Sequence, residues 1–178
     1  MHNKSTKTPN NSITTPPSRS TTRQIATAAL LFAICYISTT YLQIRLPLAS
    51  GGNINLGQVV ILILPLFLPL HSAIIVAALS CGLADITLGA AQWLGATIII
   101  KTLMVLCAYK VRPRFAGYSL AMVTMMLGYT IYDILFITRS IVGAGVSLVS
   151  YLIESIVAIT LALILAKFID NSLAKFKH

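Results

Sequence analysis

Between residues 25 and 168 the chain is a succession of long apolar runs with very few charges inside them. That feature limits what it can fold into. The runs are 25–44, about 56–71, 72–88, 94–109, 117–138 and 146–168. A bilayer core is about 30 Å thick and is crossed by about 20 apolar residues of helix. Charged residues are 10% of the chain, against about 25% in soluble domains. Hydrophobic residues are 57%, and mean hydropathy is +0.86. Such a composition cannot furnish a soluble surface. Nor can it furnish a disulfide scaffold, because Cys35, Cys81 and Cys107 all lie in apolar runs and read as core. The fold class is all-α, a small polytopic membrane protein with no sizeable extramembrane domain.

The second and third runs touch at Pro69-Leu70-His71, and Pro65 sits inside the second. Read as one broken helix over 56–88, they give five spans; read as two, six. Charge placement decides. Basic residues gather in the N-terminal stretch (Lys4, Lys7, Arg19, Arg23), in one loop (Lys110, Arg112, Arg114) and at the C-terminus (Lys167, Lys175, Lys177). The positive-inside rule puts all three clusters in the cytoplasm. An even number of crossings must then separate them, which four spans before Lys110 and two after provide. The expectation is six transmembrane helices with both termini cytoplasmic. A helix over 56–72 rises only about 25 Å, so the second span should stand nearly upright or be irregular at its outer end.

Residues 1–24, rich in Ser, Thr, Asn and Pro, read as a disordered cytoplasmic tail. Their basic, acid-poor composition also suits a targeting sequence, but no small-residue cleavage site closes the following run. Residues 25–168 form the membrane domain, and 169–178 a basic cytoplasmic tail.

Four ionisable residues fall within spans: Asp85, Lys101, Asp133 and Glu154. Charges at such positions are expensive and usually face a cavity or each other. Six spans put Asp85 and Asp133 near the outer ends of the third and fifth helices, and Lys101 and Glu154 about 12 Å below the outer ends of the fourth and sixth. The outer loops add Arg45, Asn53, Asn55, Gln58, Gln92, Trp93 and Arg139. The cytoplasmic half has no comparable set, so a polar pocket open to the outside and closed below is expected. Asp85 and Lys101 read equally as an ion pair or as ligand contacts. Three acids against Lys101 and Arg139 favour a neutral or cationic ligand. Trp93 suits an aromatic belt or stacking on a ligand, and Tyr129, Tyr132 and Tyr151 suit packing or stacking on a planar ring. Gly51-Gly52 marks a connector or a lid. The candidate site is Asn53, Asn55, Asp85, Gln92, Trp93, Lys101, Tyr129, Asp133, Tyr151 and Glu154.

No catalytic constellation, nucleotide loop or metal-ligand spacing is present in the sequence. No enzyme activity, cofactor, metal or nucleic-acid partner is expected. A solute-binding membrane chain without its own engine needs a partner to supply energy. Ala29 and Ala33 lie four apart in the first span, a spacing that lets another helix approach closely. That face packs either within the bundle or against a partner.

The succession Asn53-Ile54-Asn55-Leu56-Gly57-Gln58, then Gly82-Leu83-Ala84-Asp85 with Leu88-Gly89, then Ala96-Thr97-Ile98-Ile99-Ile100-Lys101 with Leu103-Met104 resembles the substrate-binding S components of energy-coupling-factor (ECF) vitamin transporters. It is similar in particular to the riboflavin, hydroxymethylpyrimidine and pyridoxine branch. The motifs cover about residues 53–104, and topology extends the likeness over most of 25–168. Gln58 stands where the family often has Asp, and Leu68-Pro69-Leu70-His71-Ser72 where it usually has Gly-Pro-x-x-Gly. The resemblance implies a six-helix bundle in a prokaryotic plasma membrane, with a vitamin pocket near its outer face. It implies a lid after the first helix, and Ala29 and Ala33 against a transmembrane coupling subunit that carries two cytoplasmic ATPases. Loaded, the bundle would topple to face the cytoplasm. A flavin, a pyrimidine or thiamine-related precursor, a B6 vitamer and pantothenate all remain open as ligand. The rival readings are a stand-alone channel or facilitator, and an intramembrane enzyme or assembly factor using Asp85, Asp133 and Glu154.

Overall fold

The structure is a computed structural model and describes residues 21–45, 53–137, 139 and 141–175. Six α-helices account for nearly all of it: α1 (Thr21–Tyr41), α2 (Gly57–Phe67), α3 (Leu70–Thr87), α4 (Leu94–Lys110), α5 (Arg114–Tyr132) and α6 (Ile141–Lys175). A short antiparallel pair, β1 (Gln43–Arg45) and β2 (Asn53–Asn55), joins α1 to α2 with Gln43 opposite Asn55 and Ile44 opposite Ile54. One 3₁₀ turn (Ala91–Trp93) precedes α4, and one π turn (Asp133–Ile137) follows α5. The Gly51-Gly52 connector and residues 1–20 of the tail lie outside the described residues.

Five helices are long and apolar enough to cross a membrane, and α2 is shorter. At 11 residues it rises only about 16 Å, well under the length expected from the apolar run. Its shortening lies at the Pro69 end rather than at the end that holds Gly57. Leu68 is extended (φ −120°, ψ 147°), as a residue before proline is pushed to be, so the helix stops at Phe67. The short length is tolerated because α2 is enclosed. It packs against α1, α3, α4 and α6, and Val59, Val60, Ile61, Leu62 and Leu64 are all buried. Backbone at a short helix end is admissible at membrane depth where protein surrounds it. The remaining helices follow one another around it, α3 on α1, α4 on α3, α5 on α4 and α6 on α5.

Both terminal helices overrun the boundaries read from composition. α1 begins at Thr21, inside the stretch assigned to the tail, and α6 continues to Lys175. Arg, Gln and Lys are good helix formers, so polar composition there does not stop the helix. With 35 residues, α6 is about 52 Å long and exceeds the thickness of a bilayer core.

The helices are inverted relative to soluble ones. On α3, Ala73, Ala77 and Cys81 face inward, while Ile75, Leu79, Leu83 and Ile86 are exposed. On α6, Ala158, Ala162 and Ala166 face inward, while Ile156, Ile164 and Phe168 are exposed. Small residues at four-residue spacing let backbones approach, and the large apolar side chains lie where lipid would cover them.

Candidate functional site

Three inward stripes change character as they approach one end of the bundle. On α6 the buried positions run Ser150, Glu154, Ala158, Ala162, Ala166. On α4 they run Thr97, Lys101, Val105, Ala108, and on α3 Asp85 stands four residues beyond the buried Cys81. Residues four apart share a helix face, so the last two turns of each stripe converge as a polar lining. They enclose a cavity of about 270 Å³, close to the lower end of the usual range for small-molecule sites.

Lys101 is its deepest charge, with 2% of its surface exposed. Its Nζ donates to Gln58 Oε1 at 2.8 Å, approaches Met104 Sδ at 3.9 Å and lies 5.2 Å from the centre of the Tyr129 ring. The ring face adds a cation–π attraction. Among the described residues no ion pair joins Lys101 to Asp85. The lysine takes a neutral amide oxygen instead, and Asp85 Oδ2 is buried without a hydrogen-bond partner.

The hairpin supplies the next wall. The backbone N–H of Asn55 donates to Glu154 Oε1 at 3.1 Å, and the Asn55 side-chain oxygen accepts from the N–H of Gly57 at 2.8 Å. The second bond is an Asx turn, which starts α2 directly after the strand. Gly57 is required there, since a Cβ would sit 2.1 Å from Thr39 Oγ1. Gln43 of β1 is tied back to the Thr39 carbonyl at 2.6 Å. Aromatic rings form the remaining side. Trp93 meets Tyr129 edge-on at 5.8 Å, and Tyr129 meets Tyr151 at 6.0 Å. The Tyr129 hydroxyl lies 3.2 Å from Thr97 Oγ1.

Of the residues singled out from sequence, Asn55, Asp85, Trp93, Lys101, Tyr129, Tyr151 and Glu154 line this cavity. Gln92 is not in the lining. It sits exposed on the 3₁₀ turn, where its carbonyl accepts from the Tyr132 hydroxyl at 2.6 Å. Asp133 is buried at the start of the π turn and is also outside the lining. The side chain of Asn53 lies outside what the structure describes. The lining adds Thr39, Gln43, Gln58, Cys81, Thr97, Ser147 and Ser150. Cys81, Thr97 and Ser150 each precede a charged residue of the site by four positions, and that periodicity is a signal the sequence carries. Among the described residues no group of three His, Cys, Asp or Glu side chains is placed to hold a metal ion.

A membrane-spanning α-helical bundle with a mixed polar and aromatic cavity at one end is, by class, a membrane-embedded solute-binding protein. The comparisons narrow this. The family described as "ECF-type riboflavin transporter, S component" matches residues 19–174. A structure titled as the S component of a bacterial ECF transporter superposes with a TM-score of 0.71 at 19% identity, covering 85% of this chain and 98% of that one. No curated sequence matches. This chain belongs to the ECF-type riboflavin transporter S component family, and its role is that of a substrate-binding S component. Such a component works with ECF coupling and ATPase modules.

Proposed function

We propose that the cavity between Lys101, Asp85, Glu154 and the Trp93–Tyr129–Tyr151 wall is the vitamin site of this S component. The observation that carries the reading is the buried Lys101–Gln58 contact beneath that aromatic wall. It is a costly arrangement for packing alone, because a charge withdrawn from water needs compensation. A vitamin or precursor with a planar ring, a flavin as in the family's name or a smaller pyrimidine or B6-like ring, would lie against the aromatic side chains. Its polar edge would meet the lysine and the carboxylates. The cavity end lies opposite Lys110, Arg112 and Arg114, so the positive-inside rule supports an outward-facing site. The setting is the plasma membrane of a prokaryote.

Energy would come through the first helix. Ala29 and Ala33 are both exposed, with Leu31 and Cys35 turned into the core. The small-residue face is therefore not consumed by packing within the bundle, which suits close approach by a transmembrane coupling subunit bearing two ATPases. Ala29→Leu and Ala33→Leu should each abolish ATP-driven uptake in the reconstituted complex and leave vitamin binding within about twofold, as for substitutions remote from a site. Uptake at the wild-type rate in both variants overturns the coupling role. A compound identified by mass spectrometry of the purified chain names the vitamin.

A further inference from the structure

Two polar atoms of the cavity lack partners. Asp85 Oδ2 and Ser150 Oγ are buried and make no hydrogen bond, and both side chains line the cavity. Buried polar atoms in folded proteins are nearly always paired, and an unpaired one calls for an explanation. Two in one cavity point to a partner that the bound molecule brings.

The neighbouring charges are already engaged. Lys101 gives its hydrogen bond to Gln58, so it does not neutralise Asp85 by contact. Glu154 Oε1 takes the Asn55 N–H. Among the described residues the lining holds two carboxylates and one ammonium, and no arginine. Arginine is the side chain best matched to phosphate. The Asp85 carboxylate, without a hydrogen bond on Oδ2, repels a phosphate dianion brought in beside it and makes the cavity a poor host for one. The same carboxylate favours an N–H donor, neutral or cationic. The aromatic wall favours a flat ring.

We propose, resting on the vitamin-site reading above, that Asp85 sets the selectivity of this chain. The ligand is an unphosphorylated planar heterocycle that donates an N–H to Asp85 Oδ2, makes a hydrogen bond with the Ser150 hydroxyl and offers an acceptor to Lys101. Phosphate esters of the same ring are excluded by the charge of Asp85.

The test uses the full chain in lipid nanodiscs and isothermal titration with three pairs of probes: riboflavin and flavin mononucleotide, pyridoxine and its phosphate, hydroxymethylpyrimidine and its phosphate. One free ring should bind at least about 100-fold more tightly than its ester, the scale expected from unscreened like charges in a buried site. Asp85→Asn keeps the shape and an acceptor but drops the charge, and should narrow that gap by about tenfold. Ser150→Ala should weaken the free ring and leave the ratio of ring to ester unchanged. An ester bound within about threefold of its ring overturns the proposal. So does a ratio that Asp85→Asn leaves unmoved, or that Ser150→Ala moves equally. If no free ring binds to a chain that still assembles with its coupling subunit, the vitamin-site reading falls and this inference with it.

Discussion

The two ends of the bundle are built from the same helices and differ in what those helices turn inward. Toward the cavity, the inward stripes of α4 and α6 present Thr97 and Lys101, and Ser150 and Glu154. Toward the other end they present Val105 and Ala108, and Ala158, Ala162 and Ala166. At that second end the charges sit at the helix margins. Arg114, at the start of α5, pairs through both guanidinium nitrogens with the Asp170 carboxylate of α6. Both side chains of the pair are substantially solvent-accessible. A smaller cavity of about 150 Å³ lies nearby, lined in part by Arg112, Arg114, Tyr109 and Tyr118. The contrast separates two uses of charge in one small protein. Enclosed charge at the cavity end costs solvation, a cost that the proposed vitamin site accounts for. Marginal charge at the other end remains solvent-accessible, as expected of the basic side in the positive-inside reading.

This contrast can be broken by substitution. The largest effect is expected for Lys101→Met, which preserves bulk and removes the enclosed cation. Hydrogen bonds to charged groups contribute about 1.5–3 kcal/mol, so vitamin affinity should fall about 10- to 150-fold. The emission of Trp93, the chain's single tryptophan and a lining residue, offers the titration signal. Wild-type affinity in this variant would remove the lysine from the site. Next is Gly57→Ala, which places a methyl against Thr39 where α2 meets α1. Overpacking of this kind costs about 1–3 kcal/mol. Thermal unfolding should show the loss, and binding should weaken as Thr39 and Asn55 shift. An unchanged melting curve would mean that the α1–α2 junction is looser than described. Smallest is Asp170→Asn at the opposite end. Exposed ion pairs contribute about 0–1 kcal/mol, so unfolding should move by no more than that and binding not at all. A substantial loss of binding there would erase the distinction between the two ends.

Much of this was legible in the residues, and the reasons differ by element. Six helices follow from apolar run length and from the even crossing count that the basic clusters demand. The position of the cavity follows from the lopsided distribution of Asp85, Lys101 and Glu154. The Gln43–Asn55 hairpin did not emerge, because three-residue strands are too short for alternation to register. The length of α2 was overestimated because hydropathy continues through Leu66, Phe67 and Leu68 while the backbone answers to Pro69. Asp133 and Gln92 are polar residues at the same end of the bundle, but Gln92 is exposed on the 3₁₀ turn and Asp133 is buried at the start of the π turn, and neither lines the cavity. Ser150, Thr97 and Cys81 were passed over because small polar side chains are unremarkable in spans. Their spacing from Glu154, Lys101 and Asp85 held the missing information.

The alanine seam of α6 has an electrical consequence. Ala158, Ala162 and Ala166 continue the inward stripe of α6 beyond Glu154, and among the described residues that stripe offers no file of polar side chains leading down from the cavity floor. Water wires and hopping protons need such a file, so the chain should insulate even while its upper chamber is flooded. A vesicle bearing this subunit alone would hold an imposed voltage, and the cell can station many copies in its membrane without short-circuiting the gradient that powers it.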